Sequence, residues 1–409
     1  MSGIIIVGGG QAAVATAAKL RALHDRRPIT IIGQEAVLPY QRPPLSKGYL
    51  LGKFPFDELL LRPPHWYADQ GIEVLTSSRV TALDRTRQAV DLSSGESRLY
   101  DALILATGAT PRRWPAALGG ELDGVYTVRS KANVDSFASE LVQGRRLLVV
   151  GGGYIGLEVA AVAASQGLSV TLVEADNRIL NRVASASTAD FIRRLHEAHG
   201  ADIRESVGVE SFVGKAGRVV HAKLTDGSVL DIDFAIVGIG VTPNVQLALD
   251  AELDVGNGII VDGCGRTKDP NIFAVGDCAA FPYRGETIRL ECVQNAIEQA
   301  EVVAQNILGG TLVYDPIPWF WSDQYDAKLQ IAGLTRGYTD TVVRHEDGSR
   351  QFSVWYFAEE RFLAVDAIND TRAFVSGRKL LDRGLSLPKK VVGDLSTDLV
   401  SYVRTAIGR

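Results

Sequence analysis

Along the chain, short runs that are apolar throughout alternate with longer, alanine-rich stretches whose apolar positions recur at helical spacing. Ile4-Ile5-Ile6-Val7 reads as a buried strand, Ala12–Leu20 as a helix packed on it, and Ile29-Thr30-Ile31-Ile32 as the next strand. The same order returns with Leu147-Leu148-Val149-Val150, a helix over Leu157–Ala164, and Val170-Thr171-Leu172-Val173. Strands alternating with helices in this order predict an α/β fold. The repetition extends further: Ser93-Ser94-Gly95 through Asp101-Ala102-Leu103-Ile104-Leu105-Ala106-Thr107-Gly108 corresponds to Thr225-Asp226-Gly227 through Asp233-Phe234-Ala235-Ile236-Val237-Gly238-Ile239-Gly240. Two similar α/β domains follow. Beyond about residue 316 the pattern changes to strand-like stretches at Leu329–Leu334, Gln351–Phe357 and Phe362–Ala367, which predict a small antiparallel α+β domain.

Composition agrees with several soluble globular domains, since 409 residues exceed one ordinary core and 46% are hydrophobic against 22% charged. No apolar run reaches the about 18 residues needed to span a bilayer, and the chain enters a strand by residue 4 without a leader, so a cytoplasmic protein that binds no membrane is expected. The net charge of −5 argues against nucleic-acid binding. Nothing in the pattern reports on oligomeric state.

The chemistry begins at the turns after the two repeated strands. Gly8-Gly9-Gly10-Gln11-Ala12-Ala13 and Gly151-Gly152-Gly153-Tyr154-Ile155-Gly156 each join a strand end to a helix start. Glycines there let the backbone approach a pyrophosphate, and the helix offers its N-terminal N–H groups. One such motif could be plain punctuation; two in matched contexts predict two Rossmann-like dinucleotide-binding domains and a redox relay between their cofactors. Glu174, about twenty residues past the second turn, suits a ribose-binding acid that accepts from the 2′- and 3′-hydroxyls of NADH and repels the 2′-phosphate of NADPH. Arg178 and Arg182 follow and could soften that preference by contacting phosphate. The first domain carries Gln34-Glu35 at this place, and either residue could contact the adenosine ribose, Gln34 by neutral hydrogen bonds to the hydroxyls and Glu35 by its carboxylate with a slight backbone shift.

The three cysteines, Cys264, Cys278 and Cys292, include no closely spaced pair, so neither a disulfide scaffold nor a thiol redox centre is expected, and each reads as a small buried residue. The six histidines are scattered and no metal site is expected; His196 and His199, three apart on a helix, read as surface positions.

The chain resembles the bacterial FAD-dependent, NADH-using ferredoxin reductases, a group with a glutathione reductase-like fold that includes putidaredoxin reductase and the reductases of aromatic-ring dioxygenases. The resemblance rests on Tyr40-Gln41-Arg42-Pro43-Pro44-Leu45-Ser46-Lys47, Leu105-Ala106-Thr107-Gly108, Gly151–Glu158, Phe273-Ala274-Val275-Gly276-Asp277 and Pro318-Trp319-Phe320-Trp321-Ser322-Asp323-Gln324. It implies FAD at the first fingerprint (Gly8, Gly10, Ala12, Ala13) and NADH at the second (Gly151, Gly153, Tyr154, Ile155, Gly156), with the repeated ends Ala106-Thr107-Gly108 and Gly240 closing the two sites. Arg42, Lys47, Val80, Arg129 and Val293 line the flavin by the same resemblance, and Asp277 accepts from the ribityl hydroxyls, with a helix beginning after it to face the phosphate. The resemblance also pairs Glu158 with Lys47 beside the nicotinamide, where a held cation favours a reduced anionic flavin. Tyr154 is either an aromatic lid over that pocket or packing for the turn. The resemblance places Trp321 at the docking or electron-exit surface; without it, Trp319 and Trp321 read as a pair of aromatic core anchors.

With no cysteine in Pro39–Leu51, electrons must leave from the flavin itself, which suits a one-electron iron–sulfur acceptor; the resemblance implies that this is a [2Fe–2S] ferredoxin serving a haem-thiolate monooxygenase or a Rieske oxygenase. Arg378, Lys379, Arg383, Lys389 and Lys390, interrupted by Asp382, form the densest basic run and could steer an acidic ferredoxin. The alternatives are an NADH oxidase, a reductase of rubredoxin or a quinone-like acceptor, or a redox-sensing binding protein resembling apoptosis-inducing factor. The expected domains are 1–109 with 241–315 for FAD, 110–240 for NAD, and 316–409 at the C-terminus.

Overall fold

The computed structural model describes residues 3–346 and 348–407. Contacts divide the chain into two compact units, Met1–Arg42 with Pro55–Thr110 and Val241–Pro316, and Pro43–Phe54 with Pro111–Gly240 and Ile317–Arg409.

The first unit is built on a parallel sheet in the order Ile72–Leu75, Ile29–Ile32, Gly3–Val7, Ser97–Leu105, Ile272–Ala274. Val7 pairs with Ile32 on one side and Leu105 on the other, so three strands end level with Gly8. Strands Val80–Asp84, Ala89–Leu92 and Ser97–Leu105 form an antiparallel meander. Helices Gln11–Ala22 and Val293–Ile307 pack together through Ala13, Ala17, Ala296, Ala300 and Ala304, small side chains that let the axes come close above Ile4, Ile6 and Ile104.

In the second unit the sheet order is Asp202–Glu205, Ser169–Glu174, Arg146–Val150, Phe234–Val237, Val125–Tyr126, again parallel. A meander of Val209–Lys215, Arg218–Leu224 and Val229–Asp231 precedes Phe234–Val237. Four strands thus repeat the order of the first sheet, as the sequence repetition predicts. The fifth comes from after the repeat in one case and before it in the other.

The same unit carries an antiparallel sheet in the order Trp319–Gln324, Ala327–Gly333, Arg361–Ile368, Phe352–Ala358, Asp340–His345. Helices Thr371–Asp382, Lys389–Gly393 and Leu399–Ile407 supply Phe374, Leu380, Val392 and Val403 to a core shared with Trp355 and Phe362. The fold is therefore the expected α/β pair with an α+β C-terminal sheet. Two of its strands, Trp319–Gln324 and Asp340–His345, were not anticipated, because three consecutive aromatics and a partly exposed edge lack clean alternation.

Three expectations need correction. No helix begins directly after Asp277: the residue sits in a single turn, Gly276–Cys278, followed by the strand Ala279–Tyr283, and the next helix starts at Val293. His196 is not at the surface but fully buried, because its helix turns that face toward the C-terminal sheet. Only Cys278 is buried, while Cys264 and Cys292 are partly exposed. Among the described residues no helix is long and apolar enough to cross a membrane.

Candidate functional site

The two glycine turns do the same three jobs with the same three positions. Gly8 and Gly151 hold φ of 123° and 105°, and a Cβ on them would meet the Ala106 carbonyl oxygen at 2.1 Å and the Gly238 carbonyl oxygen at 2.6 Å. Each first glycine therefore turns the chain against the neighbouring strand end. A Cβ on Gly10 or Gly153 would meet nothing within 4 Å, so the space above each second glycine is open for a ligand. At the third position a Cβ on Gly156 would lie 2.2 Å from the Gly151 carbonyl oxygen, which forces glycine there; Ala13 fills the equivalent place in the first turn, fully buried. Helices begin at Gln11 and Tyr154 with no side-chain cap at Gly10 or Gly153, which leaves first-turn N–H groups for a ligand. Both turns fit a dinucleotide pyrophosphate.

Ala106, Thr107 and Gly108 end the neighbouring strand of the first unit. Thr107 Oγ1 donates to the Asn244 carbonyl at 2.6 Å, and the Thr107 carbonyl accepts from Asn244 Nδ2 at 2.8 Å. Gly240, at φ 93°, is the counterpart of Gly108 at 67° in the second unit, with Arg182 exposed beside it.

The acids differ between the two sites. Glu174 Oε2 accepts from the Gly152 N–H at 2.7 Å and Oε1 from the Asp176 N–H at 2.8 Å, so this carboxylate braces the turn it serves. In the first unit Gln34 is exposed, whereas Glu35 is held by Arg42 Nη2 at 2.6 Å and by the Tyr40 hydroxyl at 2.6 Å. Burial opposes the Arg42 charge, but Tyr40, Glu35 and Asp277 outweigh it and hold the guanidinium above its ordinary value.

Lys47 and Glu158 come together in the second unit. Lys47 Nζ donates to Glu158 Oε2 at 2.6 Å, Ser46 Oγ donates to the same oxygen at 2.5 Å, and Ser322 Oγ donates to Oε1 at 2.7 Å. Burial pushes the Glu158 carboxyl up, while Lys47, Ser46 and Ser322 pull against it. Both serines lie inside quoted motifs, yet nothing local marks them; their link to Glu158 spans more than a hundred residues of chain.

Tyr154 lays its ring on Phe320, centroids 4.7 Å apart, and buries its hydroxyl without a hydrogen-bond partner. Burial, then Asp366, drives that phenol well above its ordinary value. Ile155 is exposed. Trp321 is half-buried, 5.6 Å from Trp319. Val80 and Val293 open a strand and a helix of the first unit, while Arg129 lies with Lys47 in the second. Asp277 receives Arg289 Nη1 at its backbone carbonyl, 2.9 Å away. In the basic run, Lys389 is paired to Asp340 at 3.0 Å and Glu360 at 3.4 Å, and Arg378 covers the Trp319 ring at 5.6 Å.

Two dinucleotide cradles in one chain, with a buried lysine–glutamate pair beside the second, define a nucleotide-dependent oxidoreductase. The chain belongs to the family described as Pyridine nucleotide-disulphide oxidoreductase, matched over residues 2–300, and residues 319–403 match the Reductase C-terminal family. It is 41% identical over 399 residues to the 5,5′-dehydrodivanillate O-demethylase ferredoxin reductase subunit of Sphingobium sp., covering 97% of each chain. It is also 41% identical to rhodocoxin reductase of Rhodococcus erythropolis, covering 97% of this chain and 93% of that one. Among solved structures, the covalent putidaredoxin reductase–putidaredoxin complex superposes with a TM-score of 0.95 at 39% identity, over 99% of both chains.

Proposed function

We propose that this protein is an NADH-dependent FAD flavoprotein that reduces a [2Fe–2S] ferredoxin serving a monooxygenase or a ring-hydroxylating dioxygenase. The observation that carries the reading is the duplicated cradle, open above Gly10 and Gly153, on a chain similar to ferredoxin reductases from end to end. FAD belongs to residues 1–109 with 241–315, NADH to 110–240, and the C-terminal segment 316–409 supplies the acceptor face. When bound, FAD converts one hydride into two single-electron transfers.

The protein's own groups do the rest. Gly10 and Gly153 admit the pyrophosphates, and the helix starts at Gln11 and Tyr154 neutralise them. Glu174 selects NADH by repelling a 2′-phosphate. Lys47, fixed by Glu158, holds a positive charge where negative charge gathers during reduction. Gln34 or Glu35, with Arg42, Val80, Ala106, Thr107, Gly108, Asp277 and Val293, completes the flavin site of the first unit, and Trp321 belongs to the acceptor face. With no cysteine in 39–51 to take them, the electrons leave from the flavin itself.

The test is NADH-dependent reduction of cytochrome c by the FAD-loaded protein, with and without a panel of bacterial [2Fe–2S] ferredoxins, while peroxide is monitored. Strong stimulation by one ferredoxin is the expected result. NADH consumption that no ferredoxin accelerates, with oxygen reduced instead, would replace this reading with an oxidase. A cytoplasmic location belongs to the same proposal, since NADH is supplied there.

A further inference from the structure

A chain of hydrogen bonds leads away from Glu158 to the edge of the second unit. Glu158 Oε1 accepts from Ser322 Oγ at 2.7 Å, Ser322 Oγ accepts from Gln324 Nε2 at 3.2 Å, Gln324 Oε1 meets His196 Nε2 at 2.9 Å, and His196 Nδ1 meets the Tyr325 hydroxyl at 3.4 Å. Glu158, Ser322, Gln324 and His196 are all buried, whereas Tyr325 is partly exposed.

Chemistry fixes the direction of every link. An amide NH2 only donates, so Ser322 accepts from Gln324 and its own hydrogen is left for Glu158. The Gln324 carbonyl only accepts, so His196 Nε2 carries the hydrogen; burial lowers this imidazole to about 4, the ring is neutral at physiological pH, and Nδ1 is the acceptor. That leaves the Tyr325 O–H as donor. All four hydrogens point toward the carboxylate, and aligned bonds of this kind polarise one another and favour negative charge at their end. The Gln324 amide does not readily take up and release a proton, so the chain transmits polarisation and not protons.

The backbone is bent to complete it. Gln324 and Ala327 close a two-residue hairpin whose tip places Tyr325 at φ 53°, a conformation an aromatic residue rarely adopts. There its ring stacks on His199, centroids 3.7 Å apart and 12° from parallel. The titratable groups facing the chain are Lys47 at the inner end and Tyr325 and His199 at the outer end.

We propose that Ser322, Gln324 and His196 are positioning residues whose one-way hydrogen-bond chain keeps Glu158 ionised and aimed at Lys47. This rests on the reading of the Lys47–Glu158 pair as part of the hydride-transfer site. The experiment is an infrared pH titration of the FAD-loaded protein, following the protonated-carboxyl band that disappears in Glu158→Gln. Ser322→Ala should raise the titration midpoint by about one pH unit, the worth of one hydrogen bond to a charged group. Gln324→Leu and His196→Leu should raise it by a few tenths, the loss of cooperative polarisation alone. His196→Gln, whose amide N–H replaces the Nε2 donor, should restore the wild-type midpoint, which a role in packing would not predict. An unchanged midpoint in Ser322→Ala and Gln324→Leu, or equal shifts in His196→Gln and His196→Leu, overturns the proposal. Should the Gln324 or His196 variants not fold, Ser322→Ala, which removes one oxygen, decides alone. The underlying reading fails separately, if Glu158→Gln leaves the stopped-flow rate of flavin reduction by NADH unchanged.

Discussion

Lys47 Nζ lies 2.6 Å from a Glu158 carboxylate that is 1% exposed, while the Lys47 side chain keeps 20% of its own surface. A pair this enclosed gives little net stability while intact, but each member is costly to strand. Lys47→Met should therefore destabilise the protein by about 3 kcal/mol at neutral pH, at the low end for a broken buried pair because Ser46 and Ser322 still donate to Glu158. Adding Glu158→Gln should recover more than half of that loss. Urea unfolding of the two single variants and the double variant checks the cycle.

Two buried groups should give opposing pH dependences over one window. Burial pushes Asp366 up to about 6, and Tyr356 and Thr188, which donate to it, only partly compensate. Because the folded value lies above the unfolded one, its contribution is full below the ordinary aspartate value and is lost as pH rises through about 6. His196, lowered to about 4, runs the other way, with stability present above the ordinary histidine value and lost as pH falls through about 4. The two slopes nearly cancel. Asp366→Asn removes one of them, so the difference in stability between variant and wild type should move by about 3 kcal/mol across that window, in the variant's favour as pH rises. Denaturant titrations at both ends of the window read this directly.

Glu174, proposed above to repel a 2′-phosphate, braces Gly152. Glu174→Gln removes the charge and keeps one oxygen for the Gly152 N–H, leaving the exposed Asp176 N–H to water. It should raise kcat/KM for NADPH about tenfold, an energy of about 1.4 kcal/mol, with little change in melting temperature. Glu174→Ala loses the brace as well and should weaken both coenzymes. Steady-state kinetics with NADH and NADPH on the two variants separates the roles.

The sequence carried the parts of this architecture that are local. A strand ending at glycine, a helix beginning after it and an equal pattern some 140 residues on translate directly into two sheets of matching order. The surroundings of Glu158 were legible only in part. Lys47 came from a resemblance, but Ser46, Ser322, Gln324 and His196 converge from three separate segments, and no periodicity encodes that meeting. His196 shows the difficulty well. A histidine on an amphipathic helix looks like a surface residue until the Trp319–Gln324 strand, itself hidden by its run of aromatics, is laid against it.

The three glycine positions of the second turn should separate folding from ligand binding. Gly153 has φ −79° and ψ 175°, which any residue adopts, and a Cβ there would meet no protein atom within 4 Å. Gly153→Ala should therefore fold with an unchanged melting temperature, because nothing in the protein is displaced. Its methyl instead enters the space a pyrophosphate would use, so the Kd for NADH should rise about tenfold or more, roughly 1.4 kcal/mol or above. Gly156→Ala is the opposite case. Its Cβ would lie 2.2 Å from the Gly151 carbonyl oxygen, backbone against which no side chain can yield, so the helix must back away from the strand. That variant should melt several degrees lower without any coenzyme present. Thermal melts of both proteins without NADH, set beside NADH titrations, give a crossed pattern if the second glycine faces the ligand and the third faces the strand. A fall in melting temperature for Gly153→Ala equal to that for Gly156→Ala would show that the space above Gly153 is needed by the protein itself and not by a nucleotide.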